Sequence, residues 1–324
     1  MTTNTRRPRY RDTLPQLASE LFLTDGGLET TLIFHHGVDL PCFAAFTLLD
    51  TPAGMALLED YFARYTRIAL AARTGIVLEA PTWRANSDWG SRVGYDAAAL
   101  DDINRRSIAL LQGVRSRFET PTTPIVISGN LGPRGDGYRG AEDRMTVAQA
   151  RDYHGTQIRT FADTAADMIA AFTMNYPEEA IGIALAAREA GMPAALSFTL
   201  ETNGRLPGGE TLREAIERTD EETGAHASYY LINCAHPSHF AATLAGAGDW
   251  IRRVRGLRAN ASRRSHAELD ASTDLDAGDP QELGEDYRRL RAALPQLNVV
   301  GGCCGTDHRH VEAMCAAMQR QRAA

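Results

Sequence analysis

Eight short runs of apolar and β-branched residues recur along the chain, at residues 21–24, 75–79, 125–128, 168–172, 194–199, 229–233, 254–259 and 298–300. Longer segments at 54–72, 97–118, 146–166, 177–190, 211–223 and 284–294 lie between them, with apolar residues at three- and four-residue spacing, the period of a helix that buries one face. Short strands alternating with helices make βα units around a parallel sheet, and eight such units close into a (β/α)8 TIM barrel. The 324 residues suffice for one barrel, which takes about 250, and no repeat or low-complexity linker divides them. The expectation is a polar tail at 1–14 followed by a single barrel domain at 15–324. The seventh run fits this pattern least well, because residues 252–258 are crowded with arginine.

Composition then narrows the partners. A formal net charge of -7 argues against nucleic acid or an anionic membrane surface as the main ligand and leaves small molecules. No stretch approaches the roughly 20 apolar residues that span a bilayer, and residues 1–11 are polar and Arg-rich with no apolar signal core, so a cytoplasmic protein is expected, with self-association left open. The sequence contains no lysine, which removes Schiff-base and pyridoxal-phosphate chemistry that needs an amine nucleophile. Its five cysteines are sparse and odd in number, which favours reduced thiols or metal ligands over a disulfide framework.

Barrel enzymes assemble their sites at the carboxyl ends of the strands, and the unusual residues of this chain fall there. Asp25-Gly26-Gly27 follows the first run, Asn130-Leu131-Gly132-Pro133 the third, Asn233-Cys234 the sixth and Gly301-Gly302-Cys303-Cys304-Gly305 the eighth. Strands six and eight lie close together in a barrel, so Cys234 can converge with Cys303 and Cys304. Three thiolates suit zinc, which binds sulfur at about 2.3 Å, and three protein ligands leave open the fourth position that marks a catalytic site. Side chains alternate along a regular strand, so the glycines at 301, 302 and 305 are expected to free the backbone and turn both adjacent sulfurs inward. Cys42 and Cys315 read as core residues, and His236 and His239 as loop or helix-start histidines. Residues 262–279, the least regular segment, read as the loop after the seventh strand on the same face.

Taken together, these motifs resemble the homocysteine S-methyltransferases, zinc barrels with betaine-, S-methylmethionine- and selenocysteine-using members. The resemblance runs from about Leu21 to Met314. It rests on Asp25-Gly26-Gly27-Leu28-Glu29-Thr30, Asn233-Cys234 and Gly301-Gly302-Cys303-Cys304-Gly305-Thr306, with weaker support from Leu131-Gly132-Pro133, Ser197-Phe198-Thr199, Gly208-Gly209 and Glu178-Glu179-Ala180. It implies methyl transfer from a sulfonium or quaternary ammonium donor (S-methylmethionine, S-adenosylmethionine or betaine) to homocysteine, giving methionine. Zinc on Cys234, Cys303 and Cys304 would be the sole cofactor. The same resemblance makes Asp25, Gly26 and Asn233 substrate-binding candidates. Asp25 either meets an ammonium group or caps the following helix.

Three departures from the family pattern bear on the substrate. Phe172-Thr173 stands where the family carries a glutamate for the homocysteine amine; Glu201, past strand five, either supplies that charge or is an exposed loop acid. Arg84, in Thr82-Trp83-Arg84-Ala85, stands where betaine-using members place a tyrosine; it is not a zinc ligand and is a candidate for recognising a carboxylate. Tyr230-Leu231-Ile232 replaces the usual Gly-Val before Asn233, a change in packing. Trp83, Trp89 and Trp250 are either an aromatic cage for a cationic methyl group or core and rim residues. The competing readings are methyl transfer to another small thiol or selenol, a zinc hydrolase, and a redox-sensing barrel built on Cys303 and Cys304. The hydrolase is weakened because three thiolates make zinc a poor Lewis acid.

Overall fold

The computed structural model describes residues 7–137, 144–244, 248–272 and 274–320, so residues 1–6 of the polar tail lie outside the described residues. Eight parallel strands form a closed barrel in sequential order, β1 (Phe22–Leu23), β2 (Gly75–Glu79), β3 (Ile125–Leu131), β4 (Met168–Met174), β5 (Ala194–Thr199), β6 (Ala227–Asn233), β7 (Val254–Ala259) and β8 (Val299–Gly302). Each expected run overlaps its strand. β8 pairs with β1 through Val299–Phe22 and Val300–Leu23, which closes the ring. This is the (β/α)8 barrel.

Helices start where the sequence supplies caps. Thr146 and Thr211 each form a capping box, with Gln149 and Glu214, ahead of the helices Val147–Ala162 and Leu212–Thr223, and Asp279 caps Pro280–Ala293. The helix expected to reach residue 166 stops at Ala162, because Arg11 takes the carbonyls of Ala162, Thr164 and Ala166 at 3.0, 3.1 and 2.7 Å. A last helix, His308–Arg320, packs beside Pro280–Ala293. Among the described residues no helix is long and apolar enough to cross a membrane.

Alternation along the strands sorts two cores. Ile76, Leu78, Ile125, Ile127 and Leu196 face the helices, whereas Phe22, Val77, Val126, Met168, Phe172, Tyr229 and Val299 fill the barrel. Part of the tail belongs to this packing. Leu14 is buried in the interior cluster, and Asp167, fully buried, accepts bonds from the backbone N–H of Arg9 and Tyr10 at 2.7 and 2.8 Å. The other oxygen of Asp167 meets Arg115 Nη1 at 2.7 Å and the N–H of Ile127 at 2.9 Å. The amino-terminal end of the barrel is thereby closed, leaving the carboxyl end as the face where side chains can meet solutes.

Candidate functional site

At that face the sulfurs of Cys234, Cys303 and Cys304 all lie within 4.8 Å of one another, the one His/Cys/Asp/Glu cluster with metal-ligand geometry among the described residues. Cys234 and Cys303 are in direct sulfur contact with Cα atoms 5.5 Å apart, a spacing that serves a disulfide or two ligands of one ion. This contact joins strands six and eight, whereas the competing redox reading pairs the adjacent Cys303 and Cys304. Cys234 is buried, Cys303 half-buried and Cys304 exposed, so the cluster opens to solvent on the Cys304 side.

The backbone aims each sulfur. Cys234 has φ of 54° and sits one residue beyond β6, in a left-handed conformation that a non-glycine residue adopts only when its surroundings hold it. Its carbonyl accepts from Asn260 Nδ2 at 3.0 Å and from His266 Nε2, and its N–H donates to Arg258 O at 3.1 Å. On β8 the glycines act differently from expectation. Gly305 is left-handed at φ 78°, but Gly301 and Gly302 are there for space: a Cβ would sit 1.9 Å from Thr24 Oγ1 and 2.0 Å from Thr306 Oγ1 respectively. Thr306 Oγ1 donates to Cys303 O at 2.7 Å and accepts from Gly27 N at 3.1 Å, tying the strand-eight motif to the strand-one motif.

Asn233 is a brace for the cysteine rather than an open substrate contact. Its Oδ1 accepts from Thr173 N at 3.0 Å and Ser197 Oγ at 2.6 Å, and its Nδ2 donates to Thr173 Oγ1 at 2.9 Å and Cys234 Sγ at 3.1 Å. All four hydrogen-bonding positions of the amide are therefore filled from within. The N–H···S contact fixes the direction of the Cys234 sulfur, the role an outer partner of a metal ligand plays. Thr173, next to Phe172 at the position of the family's glutamate, is itself left-handed at φ 66° and is held there by Asn233.

A family model described as homocysteine S-methyltransferase matches residues 22–318. The chain belongs to the homocysteine S-methyltransferase family. Selenocysteine Se-methyltransferase of Brassica oleracea var. italica is 26% identical over 216 residues, 60% of this chain and 60% of that protein. Methionine synthase of Mycobacterium leprae (strain TN) is 24% identical over 249 residues, 70% of this chain and 19% of that protein. The chain thus spans less than two thirds of the curated relatives it matches. The homocysteine methyltransferase MmuM of Escherichia coli has the same fold: its oxidized form superimposes with TM-score 0.74 at 20% identity, covering 94% of this chain and 98% of that one. The metallated form of MmuM gives 0.71 at 19% identity, covering 92% and 96%.

Within this member of the homocysteine S-methyltransferase family, the remaining candidates separate. Asp25 is buried and already holds a cation: Arg258 Nη2 lies 2.6 Å from its Oδ1, and the Tyr61 hydroxyl is 2.9 Å from its Oδ2. Gly26 lends its carbonyl to the same group, accepting from Arg258 Nη2 at 3.1 Å. Glu201 is half-buried on the rim, 3.5 Å from His266 Nδ1. Arg84 is buried between two indoles, its guanidinium carbon 3.9 Å from the Trp83 ring centre and 3.7 Å from that of Trp89, and its Nη1 reaches Gly135 O at 3.2 Å. Trp250 precedes β7 in the turn Asp249–Arg253, at the opposite end of the barrel, so the three tryptophans do not form one cage. His236 bonds to Ser238, and burial pushes its imidazole down to about 4; His239 meets Arg263 O at 2.9 Å. Burial holds the Cys315 thiol up at about 11.

Arg258, Tyr61, His266 and Glu79 escaped the motif reading. For Arg258 and Glu79 a signal existed: each is a charged residue in the inward register of a barrel strand. The arginines that weakened the seventh run as a strand include the one that crosses the mouth to Asp25. Residues 262–279, apart from 273, form the loop expected on this face and deliver His266 to the carbonyl of Cys234.

Proposed function

We propose that this protein moves a methyl group from a sulfonium or quaternary ammonium donor (S-methylmethionine, S-adenosylmethionine or betaine) to homocysteine, with zinc held by Cys234, Cys303 and Cys304. The carrying observation is the convergence of those three sulfurs at the open end of the barrel. The donor set fits zinc: three thiols, one of them receiving an N–H bond from Asn233, with no histidine or carboxylate among the described residues completing a closed shell. When bound there, zinc supplies a lowered pKa for the acceptor thiol, which is otherwise roughly 8.5. The chain's own contribution is placement. Asn233, Asn260 and Thr306 fix the cysteines, and the exposed Cys304 leaves the approach from solvent clear.

In the reaction a sulfur–carbon bond forms between the acceptor thiolate and the methyl carbon as the donor's bond to that carbon breaks. The breaking pair stays on the donor's sulfur or nitrogen, which leaves neutral, and the thiol proton passes to solvent. A second reading, transfer to another small thiol or to a selenol, is supported by Phe172-Thr173 at the place of the family's acceptor-binding glutamate. The test is methionine formation by reduced, zinc-loaded protein from homocysteine and each donor in parallel, with Cys304→Ala as control. Methionine from one donor, lost in the control, is the expected result. A zinc-bearing protein that gives none with any donor removes homocysteine as the acceptor.

A further inference from the structure

Glu79 ends β2 on the inner side of the barrel: Ile76 and Leu78 face the helices, Val77 faces the interior, and Glu79 follows Val77 in register. Only 4% of it is exposed, and its Oε2 has no hydrogen-bond partner. A buried carboxylate oxygen without a partner is costly, and such an atom in a native barrel calls for an explanation. Its surroundings do not supply one. Arg258 on β7 is the cation that acts on it, but its guanidinium bonds go to Gly302 O, Gly26 O and the carboxylate of Asp25. Ser128 on β3 offers Glu79 a neutral hydrogen bond, and the other groups that feel it, Tyr229 on β6 and Asp25, are not cations.

Three acids crowd this one guanidinium: Asp25, Glu29 and Glu79 all act on Arg258, and burial raises all three carboxyls. Burial raises the Glu79 carboxyl from 4.5 to about 7, against the pull of Arg258, so the group is poised to give up its proton when a cation arrives. A sulfonium or quaternary ammonium ion would match the charge but offers no N–H to the unpartnered oxygen. A primary ammonium matches both, with three donors.

We infer that Glu79 receives the α-ammonium group of a substrate amino acid, and so selects amino-acid substrates over thiols of the same length that lack the amine. This rests on the proposed methyl transfer between amino-acid substrates. Asp25 then acts indirectly, by holding Arg258 in place, and is a positioning residue.

The test is calorimetric binding to zinc-loaded wild type and Glu79→Gln, with homocysteine, 4-mercaptobutyrate (the same thiol without its amine) and S-methylmethionine. Glutamine keeps the shape and removes the charge; thermal unfolding and zinc content of both proteins check that the variant is intact. The expected result is at least tenfold weaker binding of homocysteine by Glu79→Gln with 4-mercaptobutyrate unchanged. If S-methylmethionine alone weakens, the ammonium read by Glu79 is the donor's. Equal weakening of homocysteine and 4-mercaptobutyrate, or no change in any ligand, overturns the assignment while leaving the methyl-transfer proposal standing. Wild type that binds none of the three overturns both.

Discussion

Replacing Asn233 by aspartate isolates a single contact in the cysteine cluster. The variant keeps the size of the side chain and the two bonds accepted by Oδ1, from Thr173 N and Ser197 Oγ. It removes the two donated bonds, to Cys234 Sγ at 3.1 Å and Thr173 Oγ1 at 2.9 Å, and sets a carboxylate oxygen against the sulfur. Loss of an outer partner of a metal ligand typically lowers metal affinity about 10- to 100-fold, or about 1.4 to 2.7 kcal/mol. Repulsion between carboxylate and thiolate adds to this, bounded by about 4 kcal/mol for unit charges 4 Å apart at an effective dielectric constant of 20. The expected outcome is a zinc dissociation constant raised at least tenfold, read by competition with a chromophoric chelator. Asn233→Ala serves as the contrast, because it also orphans the buried donors of Thr173 and Ser197, at about 1–3 kcal/mol each, and should lower the melting temperature of the zinc-free protein. Zinc affinity within threefold of wild type in Asn233→Asp would refute the brace as a tuner of the cysteine and leave it a packing element.

Four further outcomes are expected. Asp167→Ala strands the buried Arg115 and the N–H groups of Arg9 and Tyr10, costing about 3–5 kcal/mol; calorimetry should show a melting temperature lower by roughly 6–10 °C with zinc content unchanged. Cys42→Ser and Cys315→Ala should retain full zinc stoichiometry by elemental analysis, whereas Cys234→Ala, Cys303→Ala and Cys304→Ala should each lose most of it. Because the Glu79 carboxyl is raised from 4.5 to about 7 in the folded protein, the native state binds the extra proton, so this group's contribution to stability is full below about pH 4.5 and is lost as pH rises through 7. That loss approaches about 3 kcal/mol at 1.36 kcal/mol per pH unit, and denaturant titrations between pH 5 and 8 should show it as a steeper fall in wild type than in Glu79→Gln. Gly301→Ala puts a methyl group 1.9 Å from Thr24 Oγ1 and 2.6 Å from Asp25 O, so the zinc-free protein should melt several degrees lower.

The fold was legible because barrel strands are buried on both faces and therefore stand out as apolar runs between helical periods. Where a strand carries charge into the interior the signal fails, as at Arg258 on β7, whose inward side chain is compensated by Asp25 from β1, a partner distant in sequence. The helix His308–Arg320 begins directly after the cysteine motif with the polar turn His308-Arg309-His310, which masks its apolar period. At the site, the cysteines could be read from spacing and chemistry alone. The brace of Asn233 could not, since its four partners come from β4, β5 and β6 and are brought together only by closure of the barrel. Likewise the pairing of Asp25 with Arg258 reassigns a carboxylate that in isolation reads as an ammonium acceptor.

The stacking of Arg84 between Trp83 and Trp89 has a consequence for how donor preference can change. Two indole faces separated by one cation form a receptor for a cation that the protein has plugged with its own side chain. A donor's positive charge gains nothing there as long as the plug is in place, and Arg92, 4.2 Å from the Trp89 ring centre, adds a repulsive gatekeeper. Truncating Arg84 would uncover a slot of the right polarity for a trimethylammonium head without altering a single cysteine. Under the proposed methyl transfer, one substitution at Arg84 would change which onium donor is used while the cysteine cluster stays as it is.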